Sequence, residues 1–462
     1  MIVVLNDNKM SIAPNVWSLQ NYFVDLMLNE SYNRLRNKIW NLTGKVDKKN
    51  SDRLRAMAAK IEGGLKGVLT PGMLFEALGF RYFGPINGHN VVNLVKTFEE
   101  IKNFSGPLLV HVFTEKGKGP SYAPKHYQKL HALNPFDKTT GIELKKSTIP
   151  AYTSVFGEAL VELAKKDDKI IAITAAMPDG TGLNKMKEAI PERYFDVGIA
   201  EQHAVTFAAG LSTEGFTPVV AIYSTFLQRA FDQIIHDVAT QKLSVVFVLD
   251  RGGLVGADGP THHGSFDLSY LRMIPGMVIM APKDEGELRN MLYTATLYKR
   301  GPIALRYPRG NALGVESGAF KQLEIGKGEV VKEGNDIAIL AVGSMVHNSM
   351  KAAEALEERG ISAEVVNMRF VKPLDSELLR RVFEKFEKVI TIEENSILGG
   401  FGSAVSEFAE QYGYKNDILI HGLPDKFIEH GKPEELHSDL KLDAKGIVET
   451  VVEFLMRKKV TS

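Results

Sequence analysis

The stretch DRGGLVGADGPTHHGSFDLSYL, residues 250–271, carries the densest set of reactive side chains in the sequence. It is rich in glycine, holds two adjacent histidines and follows an apolar run that predicts a strand. That is the composition of a binding loop. Asp258 and His262 could form an acid/base pair there, because imidazole titrates near neutrality. The spacing also allows a plain turn with a satisfied histidine. There is no HExxH pattern, and one His-Asp pair is thin evidence for a metal. Arg251, Arg306 and Arg309 lie beyond strands of one predicted sheet. A guanidinium fork matches phosphate geometry, with surface ion pairs as the alternative. Glu201 ends a predicted strand and opens a small-residue helix. A carboxylate there suits a planar ring with a protonatable nitrogen, or it answers the helix dipole. Tyr223, Phe226 and Arg229 follow another strand end. Phe226 could stack on a ring and Tyr223 could donate a hydrogen bond, although as aromatics after a strand both read first as core packing.

The elements that position these residues alternate between strand and helix. Met1 to Leu5 predicts a buried strand, with Asn6, Asp7 and Asn8 as its polar end. Residues 14–80 predict mostly helix, and GHNVVNLVKTFEEIK has a helical period. Residues 107–113 predict a strand. A second unit starts near Ile149, with a helix over 152–165. Its strands are expected at 169–174, 196–200, 217–222, 245–249, 277–280 and 303–307. A third unit starts near Asp336, with strands at 337–342, within 363–373, at 389–394 and at 418–424, and a closing helix over 444–456. This alternation predicts an α/β fold of three consecutive domains with mostly parallel central sheets. The expected boundaries are 1–125, a linker at 126–148, 149–310, a linker at 311–335, and 336–462. Ligands of such sheets bind outside the carboxyl ends of the strands.

Composition narrows the function. Lys plus Arg and Asp plus Glu both count 56, so the formal charge is zero. That excludes bulk electrostatic binding of nucleic acid or anionic membrane. The chain has no cysteine, which excludes disulfides, thiolate metal sites and a cysteine nucleophile. No run of about 18 uncharged apolar residues suggests a membrane span. The opening MIVVLNDNKMSIAP lacks signal-peptide character, so a cytoplasmic location is expected.

Eight blocks taken together are specific: LNDNKMSI (5–12), GPINGHN (84–90), TEKGKG (114–119), DVGIAEQHAVTFAAGL (196–211), YSTFLQRAFDQ (223–233), DRGGLVGADGPTHHG (250–264), RYPRGN (306–311) and VVNMRFVKPLD (365–375). In this order they resemble the 1-deoxy-D-xylulose-5-phosphate synthase family, thiamine-diphosphate enzymes of the transketolase superfamily. The resemblance spans essentially the whole chain. It implies a transketolase-like fold with diphosphate-binding, pyrimidine-binding and C-terminal domains. It also implies the decarboxylating condensation of pyruvate with glyceraldehyde 3-phosphate, and a homodimer.

Carried over on matching positions, Glu201 is implied as the carboxylate on the aminopyrimidine and Phe226 as its stacking ring. Tyr223, Arg251 and Arg309 are implied as ligands of the acceptor phosphate. Asp258, His262 and His131 would line the substrate region for proton transfer and hydrogen bonding. His89 would lie near the diphosphate end. Asn8 and the backbone carbonyl of Met10 would bind Mg²⁺, which favours oxygen ligands.

The family's acidic Mg²⁺ ligand comes from a Gly-Asp-Gly block upstream of the NDN block, and this sequence does not contain it. The first domain is therefore expected to be incomplete. The chain alone is expected to bind the cofactor poorly; either a partner chain supplies the N-terminal half, or the sequence is a truncated reading frame of an ordinary enzyme. Two local departures point the same way: Trp17 follows Asn15-Val16 where the family has Gly, and GPINGHN carries Asn87 and Asn90 where it has Asp. Two rival readings are a β-subunit-like component of a 2-oxo-acid dehydrogenase and an inactive or regulatory homologue acting as a binding subunit. The arginines favour a sugar-phosphate acceptor over a lipoyl group.

Overall fold

The computed structural model describes residues 1–8, 72–119, 136–142, 148–315 and 318–457. The helices expected within 14–71, and His131 and Met10, lie outside the described residues. The chain forms two compact units, Met1–Lys146 and Ser147–Ser462.

In the first unit, β1 (Ile2–Asp7), β2 (Arg81–Asn87) and β3 (Leu108–Phe113) form a parallel sheet in the order β1-β3-β2. Leu108, Val110 and Val112 of β3 are buried against Ile101 of the helix Val91–Ile101. Asn90 caps that helix by accepting from the Asn93 amide at 3.0 Å. The expected buried strand at the start of the chain is a strand. Its side chains, however, alternate between exposed and half-buried.

The second unit holds two sheets. The larger runs β13-β8-β9-β7-β6-β4-β5, with β13 (Phe370–Lys372) at one edge. It comprises β4 (Ile170–Thr174), β5 (Tyr194–Asp196), β6 (Thr217–Tyr223), β7 (Val246–Asp250), β8 (Val278–Met280) and β9 (Ile303–Arg306), all parallel. Strands β4, β7, β8 and β9 are buried along their whole length. Their apolar runs follow from having helices on both faces. The second sheet runs β10-β12-β11-β14-β15, from β10 (Glu329–Lys332), β11 (Ile337–Ala341), β12 (Ala363–Asn367), β14 (Lys388–Ser396) and β15 (Asp417–Leu423).

Three details depart from the sequence reading. The strand expected at 196–200 lies instead at Tyr194–Asp196. Gly198 has φ 73°, a left-handed conformation that ends an extended run. Residues 311–335, expected to be a linker, contain β10, an antiparallel edge strand on β12. The VVNMRFVKP segment divides into β12 and β13 (Phe370–Lys372), and β13 crosses to pair with β8 of the larger sheet.

That crossing strand is one of several ties between the two sheets. Leu254, from the loop after β7, is buried in the core of the smaller sheet among Ile339, Ile392 and Leu436. Arg272 grips Glu407 with two bonds of 2.7 Å. Arg369 bonds both Glu287 and Glu329. Replacing Leu254 by alanine should cost about 2 to 5 kcal/mol, the usual range for a buried leucine. Denaturant unfolding would measure it; a cost no larger than a surface substitution would show that the loop does not contribute to this core.

Candidate functional site

The second unit's site is built on the carboxyl ends of β6, β7 and β9. Tyr223 and Asp250 are register partners across β6 and β7, and Leu249 pairs with Arg306. The chain therefore delivers Tyr223, Arg251 and Arg309 side by side at one sheet edge.

Glu201 is the first residue of the helix Glu201–Thr213 and is 1 % exposed. Arg229 reaches its two carboxylate oxygens at 3.3 and 3.4 Å. The small residues Ala204, Val205, Ala208 and Ala209 let this helix sit close to the sheet. Phe226, one turn beyond β6, packs between Tyr223 (centroids 5.7 Å, stacked) and His262 (5.3 Å, edge-on). The Arg229 guanidinium lies 5.8 Å from the same ring. A buried carboxylate and a half-buried aromatic ring thus share one neighbour.

Arg251 stacks on Tyr223 at 3.7 Å and bonds the Gly180 carbonyl at 3.1 Å. Its Nε is buried without a hydrogen-bond partner. A partly buried guanidinium with an unused donor is suited to an anion. Gly180 packs so closely on the Tyr223 hydroxyl that any side chain there would collide with it. Burial pushes the Tyr223 hydroxyl up to about 12, with Arg251 acting in the opposite sense. At neutral pH it is a hydrogen-bond donor. Burial also raises Asp250, one residue before Arg251, to about 6 despite Arg251 beside it and a 2.8 Å bond from Thr153.

Arg309 donates to Asp258 Oδ2 at 2.7 Å and to the Val255 carbonyl at 3.0 Å. The Asp258–His262 pair suggested by the sequence is replaced by this ion pair. His262 Nδ1 lies 2.9 Å from Thr261 Oγ1 instead. Arg306 does not join the anion cluster. It is buried, lies 3.0 Å from Asp267 Oδ2, and bonds the carbonyls of Gly264 and Glu394. Asp267 also accepts from Ser224 at 3.0 Å. Arg306 therefore braces the loop, while Arg251 stacks on Tyr223 and Arg309 pairs with Asp258.

Sequence reasoning missed the supports under this loop. Glu394 of β14 accepts from the Leu254 amide at 2.9 Å and from Ser344 at 3.1 Å, and lies 2.8 Å from His437 Nε2. Burial acts to raise the Glu394 carboxyl, but His437 and the Leu254 amide outweigh it and hold it below the usual range. Gly253, at φ 84°, leaves the space that Glu394 fills: a Cβ there would stand 2.5 Å from its carboxylate. Glu393 points elsewhere, to the amides of Phe401 and Gly402 at 2.7 and 2.8 Å. The signal was two consecutive carboxylates inside an apolar strand, VITIEENS.

In the first unit the expected motifs meet at the carboxyl ends of β1, β2 and β3. Thr114 donates to Asn6 Oδ1 at 2.7 Å, and the Glu115 amide donates to His89 Nε2 at 2.8 Å. The His89 amide in turn donates to Asn87 at 2.9 Å. Asn8 lies just beyond the end of β1. Among the described residues, no group of three or more His, Cys, Asp or Glu could hold a metal ion.

The sheet orders and this strand-end site define a transketolase-type protein. Residues 149–313 match the transketolase pyrimidine-binding domain, and residues 326–447 match the transketolase C-terminal domain. Residues 1–114 match the 1-deoxy-D-xylulose-5-phosphate synthase family. A protein of that name from Chlorobaculum tepidum is 50 % identical, across 99 % of this chain and 73 % of its own length. 1-Deoxy-D-xylulose-5-phosphate synthase 1 of Geobacter sulfurreducens is 52 % identical, across 99 % and 72 %. The chain belongs to the 1-deoxy-D-xylulose-5-phosphate synthase family of thiamine-diphosphate-dependent transferases.

Among solved structures, a split gene transketolase described as an inactive β4 tetramer is 34 % identical, with a TM-score of 0.59 over 67 % of this chain and 99 % of its own. Transketolase of Campylobacter jejuni shares the fold at 18 % identity, with a TM-score of 0.56 over 98 % of this chain and 72 % of its own.

The raised Asp250 makes a pH prediction. Its folded value of about 6 exceeds the ordinary 3.8, so the protonated form favours the fold. That stabilisation is complete below the ordinary value and is lost as pH rises through about 6. Glu393, raised to about 7 by burial, acts in the same direction. Asp250→Asn should therefore flatten the fall in stability between about pH 4 and 7. Denaturant midpoints across that range check it; an unchanged slope would contradict the assignment.

Proposed function

We propose that this chain condenses pyruvate with glyceraldehyde 3-phosphate, releasing carbon dioxide and forming 1-deoxy-D-xylulose 5-phosphate. The observation that carries the proposal is the juxtaposition of a buried Glu201 and a partly open Phe226 ring with the Tyr223–Arg251 and Asp258–Arg309 pairs. The first pair of features fits an aminopyrimidine; the second fits a phosphate monoester. When bound, thiamine diphosphate supplies the electron sink that lets the bond to carbon dioxide break.

The chain's own residues bind and orient. Glu201 would accept a hydrogen bond from the protonated ring nitrogen, with Phe226 stacked on the ring face. Arg229, already at that carboxylate, keeps its charge compensated before the ring arrives. Arg251, Arg309 and the neutral Tyr223 hydroxyl would hold the acceptor phosphate, two guanidinium forks and one donor. His262, against Phe226, would move a proton at the acceptor's carbonyl oxygen. Asp258 would fix the fork of Arg309, and His131 would donate to the substrates.

In the first unit, we assign His89 to the diphosphate and Asn8, with the Met10 carbonyl, to Mg²⁺. Asn8 and Met10 offer neutral oxygens only, and Mg²⁺ is bound through carboxylates plus phosphate oxygens. We propose that a carboxylate beyond these two residues, brought by a partner chain, completes the Mg²⁺ site. The likeness of 67 % of this chain to a split gene transketolase at 34 % identity supports it. A homodimer in the cytoplasm is the assembly and location proposed.

Product formation from pyruvate and glyceraldehyde 3-phosphate tests this reading. The protein is assayed with thiamine diphosphate and Mg²⁺, alone and mixed with a Gly-Asp-Gly-containing chain from the same source. Activity on mixing is expected. Glu201→Gln should then cost about 10²- to 10³-fold in kcat, as loss of a key electrostatic contact does. Arg309→Ala should raise the KM for glyceraldehyde 3-phosphate about tenfold or more and spare that for pyruvate. An active mixture indifferent to Glu201→Gln would exclude the assignment.

A further inference from the structure

We infer that His263 is a positioning residue for the acceptor-phosphate site, acting through Val255 on Arg309. The adjacent His262 is the more obvious candidate for chemistry, being half-exposed beside Phe226. His263 has the opposite character. It is 3 % exposed and both its ring nitrogens face backbone groups. The Val255 amide donates to Nδ1 at 3.0 Å. Nε2 lies 3.4 Å from the Glu429 carbonyl.

These partners fix the tautomer. An amide N–H gives Nδ1 no choice but to accept, and a carbonyl requires Nε2 to carry the proton. Burial lowers the ring's affinity for a second proton, which agrees with a neutral imidazole. The ring is thus a two-ended strut from the loop following β7 to the segment following β15. It has no nitrogen left for substrate.

What the strut holds is one residue, Val255. On one side its amide is fixed by His263. On the other, its carbonyl accepts from Arg309 Nη1 at 3.0 Å, and the same nitrogen grips Asp258 at 2.7 Å. The N–H and C=O of Val255 lie in successive peptide planes joined at its Cα, so holding the N–H restrains that residue's backbone and with it the carbonyl on which the Arg309 fork rests. Neighbouring contacts leave that segment little room: Gly256 packs on Pro433 and the Gly431 carbonyl, and Gly259 on His430. Glutamine is the informative replacement. Its side-chain carbonyl can accept from Val255 while its NH₂ donates to Glu429, reproducing the neutral imidazole's pattern.

This inference rests on reading Arg309 as a phosphate ligand, so its test separates the two. Amide hydrogen exchange at Val255 and calorimetric titration with inorganic phosphate are measured on the wild type, His263→Ala, His263→Gln and Arg309→Ala. We expect His263→Ala to speed Val255 exchange about tenfold and to weaken phosphate by a similar factor, the scale of one buried hydrogen bond. His263→Gln should restore both to within about threefold. In the active mixture, His263→Ala should raise the KM for glyceraldehyde 3-phosphate and leave that for pyruvate unchanged. Unchanged Val255 exchange in His263→Ala would overturn the proposal. So would a His263→Gln protein with the wild-type unfolding midpoint and alanine-like phosphate affinity. If Arg309→Ala leaves phosphate affinity intact, the phosphate reading is what fails, and Val255 exchange alone decides the role of His263.

Discussion

A single buried carboxylate, Glu394, ties the two sheets of the second unit to one loop. It sits inside β14 and spends its oxygens on Leu254, Ser344 and His437. A charge buried this deeply is tolerable only when fully paired, and removing one partner would leave the others exposed to that cost. The pairing holds the loop after β7 against a different sheet from the one it leaves. That loop carries Arg251, Asp258 and His262, and the Val255 carbonyl that accepts from Arg309.

The loop is long and polar, which would ordinarily make it mobile. Here it is anchored at several points by different forces. Leu254 contributes apolar burial, Glu394 and His263 contribute directed hydrogen bonds, and Arg306 crosses beneath it to Asp267 and Gly264. The glycines supply the close approaches that these anchors require. A site assembled this way is preorganised, so binding energy need not be spent on ordering the loop.

Much of the fold was legible because apolar runs such as IIAIT, VFVLD and IAILA can only be buried strands of a covered parallel sheet. The departures have physical causes. Gly198 interrupts a run that looks extended, and β10 is a short edge strand with half-buried residues, too weak a pattern to stand out from a linker. The site residues were legible as types and strand-end positions, but their pairings were not. Asp258 chose Arg309 over a histidine four residues away, since a loop bound to another sheet is not shaped by sequence neighbours. Arg306 looked like Arg251 and Arg309 in sequence; only its burial beside Asp267 separates them. His263 was hidden by its neighbour, because nothing in a His-His pair says which ring faces inward.

The central claim is that the loop after β7, residues 250–264, is held by the smaller sheet through Glu394. Hydrogen exchange across residues 250–264, comparing wild type with Glu394→Ala, tests it most directly. The account predicts faster exchange throughout that loop, by about tenfold or more at Leu254, with protection in β4, β6 and β7 unchanged. Loop exchange indistinguishable from wild type would contradict it.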